Sequence, residues 1–341
     1  METVTRSCYA LGGAGIAIIL SACTAGTQSV DPDAAPSARA VVAPQQRGLA
    51  SSLQGRKSWI EPNAKNHRLL YVSDSNNNIV QVYNYPKGSQ DPPAGTLTGF
   101  NHPFGMCVDS SNNLYFTNNE GFSVFKYAAG ASEPSGVYML GQQLPVGCSI
   151  DPTTGNLAVS SGHGSKRQYG AVTICSSTTH CKNAQHPGSL VTPYFVAYTD
   201  SGDLYVNGFT ALDFGMAYLP KGSSTWQSVN YSGPKGAPGG LQWDGTHLVM
   251  SLQTDYPQTL YTCNASGANV DCGQGAVQLL GVQQVLQFFI LKNNKTVVAA
   301  DVYGDAVHTW ALPAGGQPKR SIVPAEIYSL LVGTAVVSAT K

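Results

Sequence analysis

From about residue 56 onward, hydrophobic positions fall in short runs bounded by turn residues rather than in helical stripes. Six apolar triplets stand out: Leu70-Tyr71-Val72, Leu114-Tyr115-Phe116, Leu157-Ala158-Val159, Leu204-Tyr205-Val206, Leu248-Val249-Met250 and Val297-Val298-Ala299. Their first residues are 44, 43, 47, 44 and 49 positions apart. Prolines at 103, 145, 193, 238 and 324 keep the same period, the last step spanning two units. A third series follows the triplets, as in Val82-Tyr83-Asn84-Tyr85-Pro86-Lys87-Gly88 and Val124-Phe125-Lys126-Tyr127-Ala128-Ala129-Gly130. Three markers in one register define a repeat, which has to be read before any isolated motif.

Each unit reads as four short strands, the first two joined by an Asp, Asn and Gly turn such as Asp109-Ser110-Ser111-Asn112-Asn113. Four strands per forty-odd residues predict a propeller blade, and blades must stack because one sheet cannot cover both its faces. The expected fold is all-β, a six-bladed β-propeller of four-stranded antiparallel blades, with seven blades as the alternative. The tail from Pro324 to Ala339 resembles the start of another unit and is expected to close the ring against residues 56–73.

Composition supports this architecture: Gly 37, Pro 20 and Tyr 17 with only 11% charged residues describe strands and turns, not ion-paired helices. Lys+Arg and Asp+Glu balance at 19 each, so no field favours nucleic acid. A monomer without a nucleic-acid partner is expected.

Before the repeats, Arg6 precedes an apolar run from Tyr9 to Leu20. Twelve residues would span roughly 18 Å as a helix, too short for a bilayer and suited to a signal sequence. Leu20-Ser21-Ala22-Cys23 resembles the lipobox of bacterial lipoproteins. That resemblance implies a signal peptide over 1–22, lipidation of Cys23, a membrane partner through the anchor, and residence in the outer membrane or at the cell surface. Residues 23–55, rich in Ala, Ser, Pro and Gln, are expected to be a tether, leaving 56–341 as the propeller.

Motifs such as Pro103-Phe104-Gly105-Met106-Cys107-Val108-Asp109 followed by Asn113-Leu114-Tyr115-Phe116 resemble NHL-repeat and gluconolactonase-like propellers. The lactonase resemblance implies a divalent metal, Ca2+, held at the axis by Glu, Asn and Asp. The expected innermost strands carry no carboxylate, and only Glu61 or Glu326 could bring acid near the axis. Asp109, Asp151, Asp200 and Asp244 recur in one turn of successive blades, which points to capping of backbone N–H groups rather than catalysis. No catalytic residue, metal ligand or cofactor is therefore expected outside the enzyme alternative.

Cys175 with Cys181 and Cys263 with Cys272 sit where a third strand should turn into a fourth, so two hairpin disulfides and an oxidising compartment are expected. Cys107 and Cys148, on innermost strands of adjacent blades, are expected to be buried free thiols, with a cross-blade bridge as the alternative.

The loop after the second strand departs from the repeat. It carries His163, Arg167 and Tyr169 in blade three, Asn118 and Phe122 in blade two, Phe209 in blade four, Asp255 and Tyr256 in blade five, and Asp301 and Tyr303 in blade six. Aromatics beside amides and acids suit a sugar face or an extended peptide, so these ten residues are the ligand candidates. A non-catalytic, surface- or periplasm-exposed binding or scaffold propeller with a carbohydrate or peptide ligand is the leading expectation. The alternative is an exported metal-dependent lactonase-like hydrolase or another sugar-active propeller enzyme.

Overall fold

The computed structural model describes residues 57–86, 92–162, 169–183, 186–323 and 329–338. The signal region, the tether, Cys23, His163, Arg167 and Glu326 lie outside the described residues. The strands form six sheets, each built on one of the six apolar triplets, and the molecule is a six-bladed β-propeller.

Blade 2 shows the unit: Pro103–Val108 innermost, then Leu114–Asn118, Ser123–Tyr127 and Gly136–Met139, all antiparallel. Blade 3 starts at Leu144–Ile150, blade 4 at Leu190–Tyr198, blade 5 at Pro238–Trp243 and blade 6 at Phe288–Ile290. Pro103 and Pro238 open their innermost strands and Pro145 is the second residue of its own, where the lost N–H is least costly, whereas Pro193 lies inside Leu190–Tyr198 next to a register shift. Blades 1 and 5 gain a fifth, outermost strand, Trp59–Ile60 and the parallel Asn230–Ser232.

Ring closure follows the expected route. Blade 1 takes its innermost strand, Leu331–Ser338, from the C-terminal end of the chain and pairs it with Arg68–Asp74 near the N-terminal end of the fold. No seventh sheet forms among the described residues.

The apolar triplets are continuous because a second strand is covered on both faces by neighbouring blades. Tyr71 packs with Met106, Leu114 and Phe116 of blade 2, whereas its neighbours Leu70 and Val72 pack with Val298 and Val307 of blade 6. Alternation of side chains across the sheet therefore sends successive residues into different inter-blade cores. Five apolar clusters each join two adjacent blades, and a sixth fills the blade 4 to blade 5 interface and runs on to residues of the other four blades, such as Phe104, Val146, Val302 and Val332. Burial of this kind contributes roughly 25 cal/mol per Å2 of apolar surface, and closure of the circle leaves no blade face in water.

Candidate functional site

An innermost strand has no partner on its axial side, so half of its backbone N–H and C=O groups point into the channel. Side chains supply the missing bonds. Asn207 accepts from the Phe195 N–H at 2.9 Å and donates to the Gly239 carbonyl at 2.9 Å. Gln242 accepts from Ile290 N–H at 2.8 Å and donates to its carbonyl at 3.1 Å. Gln287 does the same to Met106, 3.0 Å from the N–H and 2.6 Å from the carbonyl, reaching past blade 1 from blade 6 to blade 2. Thr117 and Ser160 hydroxyls bridge carbonyls of their own and the next blade's innermost strands.

Strand pairing puts Gly105, Gly147, Phe195, Gly240, Gln287 and Gly333 at equivalent levels of the six innermost strands. Three of the four glycines, Gly105, Gly147 and Gly333, are required by close approach. A Cβ on Gly147 would lie 2.6 Å from the Phe195 ring, and one on Gly333 would lie 2.5 Å from the Phe104 carbonyl oxygen. Phe195 and Gln287 fill the space that the glycines leave, so the axis is occupied by side chains. Carboxylates are missing from this level, and Glu61, expected as a possible axial acid, instead lies exposed beside the outermost strand of blade 1, its N–H bonded to the Ala94 carbonyl at 2.8 Å. It follows Trp59–Ile60, which pairs outward of Gly95–Leu97, the farthest place in the blade from the axis. Among the described residues, no three His, Cys, Asp or Glu side chains form a group that could hold a metal ion.

The face that carries the blade-to-blade crossings holds the ligand candidates. Several of them organise their own loops. Asn118 is buried, accepts from Asn101 N–H at 2.6 Å and donates to the Ser123 hydroxyl at 3.1 Å. Asp301, also buried, accepts the N–H groups of Gln283, Gln284 and Tyr303 at 3.0, 3.2 and 3.3 Å. Asp74 plays the same part in blade 1, accepting from Asn77, Gln81 and Leu330, a role the sequence reading did not assign although its place after the triplet matches Asn118 and Asp301. Asp255 is partly buried; burial pushes its carboxyl above the ordinary value, and a hydrogen bond from Tyr261 offsets part of that. Phe122 is partly buried in a left-handed turn at φ 51°, and Phe209 packs edge-on to Tyr194. The three tyrosines are outward: Tyr169 is 44% exposed, Tyr256 88% and Tyr303 41%, with Tyr169 edge-on to His186 at 4.8 Å.

The opposite face carries the turns between first and second strands, and here the axial clefts open. One, of about 580 Å3, runs from Asp200 past Trp243 to Arg68 and Asp109. A second, of about 220 Å3, completes the circle through blades 2 and 3. Both are lined by Val108, Asp200, Gln242, Trp243 and Phe289, and neither includes any of the ten candidates. The clefts together form a bowl whose floor mixes Val108, Trp243 and Phe289 with Gln242, under a polar rim.

The aspartates of the turns between first and second strands are not equivalent. Asp109 accepts from the N–H groups of Ser111 and Asn113, Asp151 from Thr153 N–H and two threonine hydroxyls, and Asp244 from the N–H groups of Thr246 and His247. Each caps its turn as expected. Asp200 does not, and the expectation for it is corrected. Innermost strands end at Val108, Ile150, Tyr198 and Trp243, so the residue in register with the three caps is Thr199. Its hydroxyl accepts the Asp203 N–H at 3.2 Å, and Asp200 is displaced one place along, exposed at the mouth of both clefts. In the floor, the Trp243 Nε1–H is buried without a hydrogen-bond partner among the described residues.

Three disulfides are present. Cys175–Cys181 and Cys263–Cys272 bridge third and fourth strands, as expected for their hairpins. Cys107–Cys148 is also bonded, with Cα atoms 5.6 Å apart, which overturns the expectation of free thiols. Close packing of innermost strands, made possible by Gly105 and Gly147 next to these cysteines, brings the two Cα atoms within bridging distance. This bridge lines the smaller cleft.

No family model matches the chain, and no curated protein matches it. Among solved structures, a chain in the crystal structure of a nidogen/laminin complex is similar with a TM-score of 0.61 at 13% identity, covering 80% of this chain and 100% of that one. Likeness at that identity supports the propeller architecture alone.

Proposed function

We propose that the chain is an exported, lipid-anchored binding propeller, held at the envelope through Cys23, which takes a carbohydrate or peptide on a face of the ring and performs no chemistry. The observation that carries this reading is the filled axis. A lactonase-like propeller needs carboxylates converging there, and the equivalent level here holds four glycines, Phe195 and Gln287, with Gln287 saturated by Met106. Three disulfides suit an oxidising compartment and so support export. The similar chain was solved in a nidogen/laminin complex, so a propeller of this fold occurs in an assembly of proteins. NHL-like repeats fit the same reading.

The test uses the full chain expressed in an exporting bacterial host. Palmitate labelling should appear in the wild type and vanish in Cys23→Ala, and the purified protein should give discrete signals on glycan or peptide arrays. Turnover of a sugar lactone that requires Ca2+ and is abolished by EDTA would overturn the non-catalytic reading.

A further inference from the structure

Resting on that reading, we infer that the ligand site is the bowl on the turn face, centred on Trp243 and Asp200, and that it takes a neutral saccharide. The crossing face, favoured by the sequence, spends Asn118 and Asp301 on its own loops. In the bowl Asp109, Asp244 and Gln242 are likewise spent on the backbone, and one side chain is left over. Asp200 is the one rim aspartate that departs from the repeat, released from capping because Thr199 holds the turn, and no hydrogen bond to its carboxylate is formed among the described residues. An ionised carboxylate is acceptor-only and suits a pair of neighbouring hydroxyls.

The remaining chemistry narrows the class. Trp243 and Phe289, partly exposed and common to both clefts, offer ring surface against which the apolar face of a pyranose can lie. The larger cleft, about 580 Å3, falls in the ordinary range for small-molecule sites. Three carboxylates at the rim, Asp109, Asp200 and Asp244, outnumber two cations, Arg68 and Lys292, which disfavours an anionic glycan. Those same cations disfavour a basic peptide, and the charged rim disfavours an apolar ligand. A neutral, hydroxyl-rich molecule satisfies every part.

The experiment titrates the full chain with neutral hexaoses (gluco-, xylo- and manno-configured), an oligogalacturonate and a lysine-rich peptide, read by calorimetry. One or more neutral hexaoses should bind the wild type, and Asp200→Ala, an exposed turn change, should weaken binding at least ~10-fold, as expected for loss of a charge-assisted hydrogen bond. Trp243→Phe, which keeps a ring, should weaken it less than Asp200→Ala, while Tyr256→Ala on the crossing face should leave it unchanged. Binding that survives Asp200→Ala but fails in Tyr256→Ala would overturn this inference and leave the binding reading intact. Capture of only the oligogalacturonate or the peptide would overturn the saccharide class in the same way. Silence of the wild type toward all three probe classes and on the arrays would overturn the binding reading itself.

Discussion

Replacing Gln287 tests whether the axis is held by hydrogen bonds or merely filled. Its amide is buried and bonds both backbone groups of Met106, at 3.0 and 2.6 Å. Truncation in Gln287→Ala leaves one N–H and one C=O of Met106 without protein partners at the inner end of the smaller cleft, at ~1–3 kcal/mol each. A water entering the vacated space would recover part, so the expected loss is about 2–4 kcal/mol. At about 2 °C per kcal/mol for a domain of this size, the melting temperature should fall by about 4–8 °C. Gln287→Met is the discriminating partner, because it restores the volume, excludes water and still cannot bond. It should be at least as destabilising as alanine. Thermal melts followed by circular dichroism, with urea midpoints as a check, decide the matter. If methionine melts within a degree of the wild type while alanine falls, the side chain acts by filling space and the hydrogen-bond account is refuted.

Three further outcomes are expected of the same fold. Loop-closure entropy ranks the disulfides: the Cys107–Cys148 bridge, spanning 41 residues, should contribute about 4 kcal/mol, and the bridges spanning 6 and 9 residues about 2–3 kcal/mol each, measured by urea unfolding of paired Cys→Ala variants. Acid should destabilise in two stages. Burial holds the His308 imidazole below 6.5, a depressed value whose contribution is present above pH 6.5 and lost as pH falls beneath it. For Asp151, burial pushes up but hydrogen bonds from Thr154 and Thr153 outweigh it and hold the carboxyl below 3.8, so its contribution is lost only as pH falls past that point. Stability measured against pH should lose its upper step in His308→Gln and part of its lower step in Asp151→Asn. Deleting Leu331–Ser338 should abolish the cooperative melt and give aggregates in light scattering, since it strips the innermost strand from blade 1 and bares the edge of Arg68–Asp74; a monomer with an unchanged melt would count against ring closure as the source of cooperativity.

What could be read from the chain was whatever is decided within one blade. The triplets, the Asp turns at 109, 151 and 244, and the hairpin cysteines at 175 and 181 or 263 and 272 involve partners fewer than about twenty residues apart, so spacing alone brings them together. The free carboxylate of Asp200 was not legible. The innermost strands end 6, 7, 6 and 5 residues before the triplets of blades 2 to 5, and Asp200 precedes Leu204 by the same four residues that separate the capping Asp244 from Leu248, so only the strand pairing shows that Thr199 holds the capping place.

The repeat length and the four-stranded unit were determined by the sequence by itself, because turn chemistry and hydrophobic period are local and recur six times, and the partial repeat at the C-terminal end marked the strand that closes the ring; the fifth strands of blades 1 and 5 were not marked. Only the tertiary structure decided what happens where blades meet. Cys107 bonds Cys148 because glycines let two innermost strands approach; Gln287 finds Met106 across the axis; and the clefts open on the turn face rather than the crossing face. Each depends on positions far apart in the chain being carried to one place by the closed circle, and no local pattern encodes which of those positions will touch.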